Sequence, residues 1–509
     1  MGGEGQPDHE CDLLVIGGGI NGAGIARDAS GRGLKVVLCE RNDLASGTSS
    51  VSSKLIHGGL RYLEHYEFRL VREALAERET LLRIMPHIAW PLRFVLPHNA
   101  DLRPAWMIRI GLFLYDHLAA RSKLDGSHQI SLRASLEGAP LKGDYDKGFI
   151  YSDCWVDDAR LVVLNAMDAA ARGATILTRT ACVGAERKAD HWLATLTDDR
   201  GESRTVRARA VVNAAGPWVA QVQKTVLGQS GKEHLRLVQG SHIVVPKLYE
   251  GAHAYILQNP DKRIVFVIPY EGQFTLIGTT DVPYAGNPAE VRISKAETEY
   301  LCASVSRYFE REIAPADVVW SYAGVRPLYD DEAADPASVT RDYVLEASGG
   351  PEDAPLLTIY GGKLTTYRRL AEHAMEKLGP LLEMSPKEWT GSEPLPGGDM
   401  PDADFDAFLA DFRARNPWLP EDLSARYAHS YGTRARLIVD GADSLDGLGQ
   451  HLGGTLYERE AEYLVAHEWA RSADDILLRR SKLALHGGKE LKDALEKWLR
   501  KRFGDQFAT

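Results

Sequence analysis

Two kinds of hydrophobic periodicity alternate near the start of the chain. An apolar run over residues 13–16 leads into three glycines at G-x-G-x-x-G spacing, Gly17, Gly19 and Gly22. Apolar residues then recur at helical spacing as far as residue 31, and a second short apolar run over 35–39 ends before Glu40. The pattern predicts a strand, a tight turn, an amphipathic helix and a second strand.

This order of elements is typical of a dinucleotide-binding site. Glycines without a Cβ allow the tight turn, and the unpaired N–H groups that begin the helix favour a pyrophosphate. Glu40, at the end of the second strand, is placed to accept the ribose hydroxyls of an adenosine. An ordinary strand-to-helix turn would not explain the acid at this distance. The turn alone does not separate NAD from FAD.

The rest of the chain divides into an α/β body and a helical tail. Strand-like runs over residues 210–213, 241–245, 263–269 and 274–277 predict an antiparallel sheet inserted into the nucleotide-binding domain. The composition then shifts to Ser, Pro and Gly before a long helical pattern. The predicted parts are a body over 11–384 (nucleotide-binding 11–75, 150–225 and 320–384; substrate-binding 76–149 and 226–319), a linker over 385–402 and a helical domain over 403–509.

Composition supports a large enzyme with an ample core. The chain has 509 residues, 44% of them hydrophobic, and a net charge of −11, which argues against general nucleic-acid binding. Its five cysteines form no C-x-x-C pair or zinc spacing, so we expect no metal site and a reducing compartment. The polar, acidic start and the lack of a long apolar run predict neither a secretion signal nor a membrane-spanning segment.

Residues 46–62 favour a flavin over a nicotinamide. Hydroxyls, glycines and cationic groups crowd this segment just after the second predicted strand. It is too polar for a core helix and suits contacts with phosphate and a planar ring. A Ser-rich loop that caps its own helix is the alternative.

Several motifs carry a resemblance to a known family. GGGINGAGIARDASGRG, YSDCWVDDARLV, GSHIVVP, GVRPL, TRDY and GGKLTTYR stand in one order along the chain. The chain resembles the bacterial aerobic FAD-dependent glycerol-3-phosphate dehydrogenases over nearly its whole length. The resemblance implies a Rossmann-like FAD-binding domain of the D-amino-acid-oxidase type, interleaved with an antiparallel substrate-binding sheet, and a C-terminal all-helical cap. It also implies a membrane quinone as electron acceptor and a homodimer attached peripherally to the inner face of the cytoplasmic membrane.

The same motifs give the predicted site residues. The FAD contacts predicted are Gly17, Gly19, Ile20, Asn21, Gly22, Glu40, Arg41, Thr48, Ser49, Ser53, Lys54, Leu55, His57, Gly58, Gly59, Ala215, Gly216, Gly362, Lys363, Leu364 and Thr365. The substrate contacts that the resemblance implies are Arg61, Tyr62, Arg326, Arg341 and Lys363.

Oxidation of a secondary alcohol phosphate requires a hydride acceptor, a base and a cationic cradle. Arg326 and Arg341 are predicted to hold the phosphate because guanidinium groups bind it in a bidentate fork, with Lys363 nearer the reacting oxygen. His242 is the preferred base because an imidazole titrates near neutral pH. His57 and Lys363 remain alternative bases.

Residues 361–362 are predicted to precede a helix whose N-terminus, with free N–H groups at Lys363 and Leu364, points at the flavin and stabilises its reduced form. Its apolar positions keep helical spacing until residues 379–380 end it. Arginines outside the shared motifs, such as Arg368 and Arg413, are predicted to be surface residues with carboxylate partners.

Two segments are candidates for contact with anionic lipid. Residues 102–116 mix aromatic and aliphatic residues with arginines, as interfacial helices do, although a core helix fits equally. Arg479, Arg480 and Lys482 beside residues 476–478 form a second basic, apolar patch. Two other functions remain open: an oxidase that passes electrons to oxygen and makes peroxide, and a non-catalytic flavoprotein sensor.

Overall fold

The computed structural model describes residues 7–60, 63, 66–99, 102–121, 123–229, 235–329, 342–350 and 352–507. Their strands are β1 (His9–Ile16), β2 (Val36–Cys39), β3 (Leu55–Ile56), β4 (Ala89–His98), β5 (His128–Ser131), β6 (Lys147–Val156), β7 (Thr175–Leu177), β8 (Thr180–Arg187), β9 (Trp192–Asp198), β10 (Ser203–Asn213), β11 (Leu235–Pro246), β12 (Ala254–Gln258), β13 (Ile264–Tyr270), β14 (Phe274–Gly278), β15 (Val282–Pro283), β16 (Trp320–Tyr329), β17 (Val344–Gly350), β18 (Asp353–Tyr360), β19 (His451–Gly453) and β20 (Leu456–Tyr457). Their α-helices are α1 (Ile20–Gly31), α2 (Phe68–Ile84), α3 (Ala105–His117), α4 (Asp158–Ala171), α5 (Val219–Thr225), α6 (Lys295–Tyr308), α7 (Tyr367–Leu382), α8 (Phe405–Arg415), α9 (Glu421–Tyr431), α10 (Ala435–Val439), α11 (Glu458–Glu468) and α12 (Ala484–Phe503).

The first sheet has the predicted strand-turn-helix-strand unit at its centre. Its order is β17-β18-β10-β1-β2-β7, with β9 and β8 continuing from β10. β1 runs parallel to both β2 and β10, so Leu13 pairs with Val36 on one side and Ala210 on the other. Apolar residues of β1 and β10 share one buried core with α1, α4 and α7. This parallel arrangement brings the carboxyl ends of β1, β2 and β10 together, where α1 begins.

The second sheet is the predicted antiparallel one. Its order is β15-β11-β14-β13-β12-β4-β6-β3, with β16 beside β11 and β5 beside β6. The pairing is antiparallel except between β12 and β4. The sheet therefore confirms the α/β body with an interleaved antiparallel sheet.

Three strands of the antiparallel sheet lie within or overlap the ranges predicted to bind the nucleotide. β3 lies inside 11–75, β16 lies inside 320–384, and β6 overlaps the start of 150–225. β6 pairs with β4 along its length, from Lys147 opposite His98 to Val156 opposite Ala89. Local apolar runs look alike in both sheets, because only the distant partner strand decides the sheet.

The tail is helical, as predicted, apart from the short hairpin of β19 and β20. Its apolar side chains form a core of their own, drawn from residues 400–499. The Pro- and Gly-rich segment before it is anchored to the body, since the Arg27 guanidinium donates to the carbonyls of Thr390 and Glu393 at 3.2 and 2.9 Å.

The predicted lipid-binding patch of the tail is wrong. Arg480 is fully buried and its guanidinium donates to both Asp43 oxygens at 2.6 and 2.8 Å. Lys482 is buried as well and pairs with Asp157 at 2.5 Å. Arg479 also contacts Asp43, at 2.6 Å. These cations neutralise carboxylates of the body, and the sequence pattern does not reveal such distant partners.

Two smaller predictions around α7 also fail. The helix does not end at residues 379–380 but continues through Pro380 to Leu382, whose buried side chain anchors the last turn. Arg368 has the predicted carboxylate partner but is no surface residue, because it is buried against Glu77, with its Nε 2.8 Å from a Glu77 oxygen. Arg413 is partly exposed and contacts Glu421 at 3.5 Å, as predicted.

Candidate active site

The glycine turn between β1 and α1 leaves no room for a side chain. A Cβ on Gly22 would stand 1.9 Å from the Gly17 carbonyl oxygen. Gly17 itself has φ +114°, and a Cβ there would lie 2.6 Å from the Ala214 carbonyl oxygen. Ala215 and Gly216 follow Ala214 directly in the chain. These two predicted FAD contacts therefore lie beside the glycine turn.

Glu40 ties the turn to the end of β2. One of its carboxylate oxygens accepts the Gly18 N–H at 2.7 Å and the other accepts the Asn42 N–H at 2.8 Å. Burial raises the pKa of Glu40, and these two backbone hydrogen bonds oppose that rise. Each oxygen keeps a further lone pair for a ligand hydroxyl. Arg41 beside it is exposed.

The Ser/Thr/Gly segment crosses the beginning of α1 and reaches the antiparallel sheet. The Ser49 hydroxyl accepts the Ile20 N–H at 3.0 Å. The Thr48 hydroxyl donates to the Val325 carbonyl at 2.7 Å. The segment therefore does cap a helix, but the helix is α1 of the nucleotide-binding sheet and not one of its own.

The late glycines lie against the same turn. The Asn21 amide donates to the Gly361 carbonyl at 3.0 Å, and a Cβ on Gly362, which has φ +101°, would lie 2.7 Å from the Asn21 amide nitrogen. The Thr365 hydroxyl accepts the His57 N–H at 3.4 Å. Segments that are about three hundred residues apart in sequence thus share one site.

A helical segment follows residues 361–362, as predicted. Leu364–Thr366 form a short 3-10 turn, and the regular helix α7 begins only at Tyr367. The N-terminus near the site is therefore that of the 3-10 turn, with Lys363 at its start and half-buried.

Three predicted cofactor contacts are engaged elsewhere. The Lys54 ammonium donates to both Asp158 oxygens at 2.8 and 2.9 Å and to the Ser50 carbonyl at 3.0 Å, which uses its three donors. The Leu55 side chain is buried in the core of the antiparallel sheet. The Gly58 N–H donates to the Tyr115 hydroxyl at 2.8 Å. The side chains of Lys54 and Leu55 and the N–H of Gly58 thus contact other parts of the protein, and their contact with FAD stays a prediction.

His242 on β11 is a buried, neutral imidazole. Its Nε2 lies 2.8 Å from the Ser53 hydroxyl, and its ring stacks on Tyr322 with centroids 4.9 Å apart. Burial, aided by the nearby charges of Lys54 and Arg326, lowers the pKa of His242 to about 3. The expectation that it titrates near neutral pH is therefore wrong. Its Nδ1 is buried without a hydrogen-bond partner among the described residues.

Arg326 lies on β16, opposite Val238 of β11. Its guanidinium donates to the Thr280 carbonyl at 2.9 Å and lies 3.2 Å from Asp281, with a third of the side chain exposed. Arg61, Tyr62 and Arg341 lie outside the described residues.

Sequence reasoning missed Glu297, which organises the strands around Arg326 and His242. Its carboxylate accepts the hydroxyls of Ser241 at 2.8 Å and Thr280 at 2.7 Å. It also closes a capping box with Ser294 at the start of α6. The S-x-x-E pattern signals the helix start, but nothing local in the sequence reveals the partners on β11 and after β14.

The arrangement fits a flavin dinucleotide better than a metal. The glycine turn offers backbone N–H groups at the start of α1, and Asn21 Oδ1 is buried there without a partner in the described part of the chain. No group of three or more metal-ligating side chains occurs among the described residues. The His242 imidazole and the Arg326 guanidinium lie on adjacent strands of the second sheet.

Comparisons with known proteins agree with this geometry. The model of the FAD dependent oxidoreductase family matches residues 12–368, and that of the C-terminal domain of alpha-glycerophosphate oxidase matches residues 389–501. The chain is 57% identical to the glycerol-3-phosphate dehydrogenase of Pseudomonas aeruginosa, covering 93% of this chain and 92% of that protein. It is 54% identical to the D-erythritol 1-phosphate dehydrogenase of Brucella abortus, covering 96% and 97%.

A solved structure extends the similarity to the whole fold. The glycerol-3-phosphate dehydrogenase of Bacillus halodurans, solved in complex with FAD, superposes with a TM-score of 0.79 at 28% identity, over 98% of this chain and 92% of that one. The chain belongs to the FAD-dependent oxidoreductases, in the family of the bacterial aerobic glycerol-3-phosphate dehydrogenases.

Proposed function

We propose that the protein oxidises sn-glycerol 3-phosphate at C2 to dihydroxyacetone phosphate and passes the electrons to a membrane quinone. The observation that carries the proposal is the placement of buried His242 and of the Arg326 guanidinium on adjacent strands, with His242 hydrogen-bonded to Ser53 of the predicted FAD-binding segment. The high identity to a glycerol-3-phosphate dehydrogenase supports the substrate.

Each residue has a defined part in this reaction. Arg326, with Arg341 and Arg61, binds the phosphate and so fixes the orientation of C2. His242 accepts the hydroxyl proton, because a neutral ring retains a nitrogen lone pair. Ser53 and Tyr322 hold the ring in place. Bound FAD supplies the hydride acceptor at N5.

D-Erythritol 1-phosphate is a second candidate substrate. The relative from Brucella abortus named for it is 54% identical over almost the whole chain. Both compounds are polyol phosphates, so the same anion holders would serve either. Values of kcat/KM for the two phosphates and for glycerol test the assignment. A higher kcat/KM for glycerol 3-phosphate supports that compound as the substrate. A higher kcat/KM for D-erythritol 1-phosphate would make the four-carbon compound the substrate instead.

The electron acceptor is tested separately. The tail matches the C-terminal domain of an oxidase family, so oxygen is the competing acceptor. Formation of peroxide in stoichiometric amount under air would show that oxygen, and not a quinone, is the electron acceptor. Turnover with a soluble quinone analogue and little peroxide supports the dehydrogenase. A flavin that no polyol phosphate reduces would indicate the non-catalytic sensor.

We further propose that α3 attaches the protein to the membrane surface as a peripheral protein. Its apolar residues Trp106, Met107, Ile110 and Phe113 are exposed, and Arg109 lies among them. An amphipathic helix of this kind lies in the interface and is attracted to anionic lipid. Within the described residues, no helix is long and apolar enough to cross a bilayer.

The homodimer stays a prediction, tested by the mass of the protein in solution.

A further inference from the structure

The tail approaches the active site through a buried lysine. Lys482 follows the π-helical turn Asp475–Arg480 and is almost completely buried. Its ammonium lies 2.5 Å from an Asp157 oxygen. Its backbone has φ +57°, which is uncommon for a residue with a Cβ. The body and the tail are therefore joined here by a buried ion pair in a conformationally restricted position.

The beginning of α4 connects this lysine to the site. Asp157 caps α4 by accepting the Arg160 N–H at 3.2 Å. The next residue, Asp158, is fully buried and binds Lys54 together with Ser52, whose hydroxyl donates to it at 2.7 Å. Of two neighbouring carboxylates, Asp157 thus pairs with the tail and Asp158 with the segment that holds the site.

The segment on the site side controls the proposed base. Ser53, between Ser52 and Lys54, makes the hydrogen bond to His242 Nε2 at 2.8 Å. The Tyr322 hydroxyl donates to the Ser52 carbonyl at 2.9 Å, and its ring stacks on His242. A displacement of residues 52–54 would therefore move both contacts that orient the imidazole.

The positions of Asp157 and Asp158 depend on the positive charge that Lys482 of the tail supplies. Asp157 and Asp158 are matched by the two ammonium groups of Lys54 and Lys482. Removal of Lys482 would leave a surplus negative charge beside a fully buried carboxylate, and such a charge is strongly unfavourable unless the surroundings shift. A misplacement of about 1 Å near reacting groups can lower a rate by roughly 10²-fold.

We propose that the C-terminal domain positions the oxidation site through Lys482, by way of Asp157, Asp158 and residues 52–54. Lys482 is a positioning residue, since it contacts neither His242 nor the predicted substrate contacts that the structure describes. The proposal rests on the proposed function, because it concerns the same base.

The test compares three variants of the full-length holoenzyme in anaerobic flavin reduction by glycerol 3-phosphate. Lys482→Met should lower the limiting reduction rate by about tenfold or more, with KM changed by less than about threefold and FAD still bound. Lys482→Arg should recover at least half of the rate. Lys492→Met is the matched control, because Lys492 pairs with Asp474 at 2.7 Å in the same domain but is 41% exposed. Its rate should stay within about twofold of the unmodified protein.

A Lys482→Met rate equal to that of Lys492→Met overturns the proposal, as does a loss that Lys482→Arg fails to recover. If Lys482→Met does not fold, Asp157→Asn, which preserves the side-chain shape, is judged by the same criteria. If no polyol phosphate reduces the unmodified protein, the proposed function fails independently. The effect of Lys482 on the site is then measured by the visible absorption spectrum of the bound flavin. A Lys482→Met spectrum identical to that of the unmodified protein overturns the proposal that Lys482 positions the site.

Discussion

A buried, neutral histidine beside a flavin has a pH dependence unlike that of an exposed one. The pKa of His242, lowered to about 3 by burial, keeps its ring able to accept a proton from about pH 7 to about pH 5. The proton-accepting form is lost only as the pH falls through the lowered pKa. We therefore expect this group to change the rate of flavin reduction by less than about twofold over that range.

Substitution of the same residue tests its role. His242→Asn should lower the rate of single-turnover flavin reduction by about 10²-fold or more, since a positioned base contributes about that much. His451→Asn, in the exposed hairpin of the tail, is the control and should leave the rate unchanged. If His242→Asn keeps the unmodified rate of flavin reduction, His242 is not the base, and His57 and Lys363 become the candidates.

The glycine turn gives a second prediction for a single residue. Gly22→Ala places a Cβ 1.9 Å from a backbone oxygen that cannot move without opening the turn. We expect most of the purified variant to lack FAD, measured as the ratio of flavin to protein absorbance. Gly184→Ala, where a Cβ meets no atom within 4 Å, should retain the full flavin content. Equal flavin content in the two variants would contradict the account of the turn.

Among the secondary-structure elements, α3 carries the prediction for membrane attachment. Ile110 is 53% exposed on its apolar face. Burial of such a side chain in lipid contributes about 1.5–3 kcal/mol, so Ile110→Glu should weaken binding to anionic vesicles at low salt by about tenfold or more. Leu437→Glu on α10, with 52% exposure, is the matched control and should bind as before. Vesicle binding unaffected by Ile110→Glu would remove α3 from this role.

Local periodicity located elements well but did not determine their partners. The apolar runs within β10, β11, β13 and β14 were sufficient to predict these strands, because alternation and turn residues are local signals. The sequence pattern did not show that β6 and β16 join the antiparallel sheet, because their partners, β4 and β11, are distant in sequence. Likewise, Pro380 predicts a helix end, whereas the buried Leu382 extends the helix through tertiary packing.

At the scale of the whole molecule, buried ion pairs join tail and body. Arg480 is fully buried, with Asp43 accepting two of its hydrogen bonds. Arg480→Met removes both of these charge-assisted hydrogen bonds while Arg479 still pairs with Asp43, and we expect a loss of about 1.5–3 kcal/mol in the free energy of unfolding. Arg502→Met breaks an exposed pair with Glu462 and should cost less than about 1 kcal/mol. Denaturation midpoints followed by circular dichroism measure both, and equal midpoints would contradict the account.

The flavin site was predictable in outline because its glycine turn, its terminal acid and its late glycines each have a local signature. The contacts that bring them together, such as that of Asn21 with Gly361, join distant segments and needed the structure. The same limit applies to the basic patch of the tail. A run of cations beside apolar residues looks the same whether it meets lipid or, as for Arg480 and Lys482, buried carboxylates.

The central claim is that the flavin of this protein is reduced by a polyol phosphate held through its phosphate group. The most direct measurement is the visible absorption spectrum of the holoenzyme, recorded anaerobically before and after addition of glycerol 3-phosphate or glycerol. We expect glycerol 3-phosphate to bleach the flavin band and glycerol at the same concentration to leave it unchanged. A flavin that glycerol 3-phosphate leaves oxidised, or that glycerol reduces equally well, would contradict it.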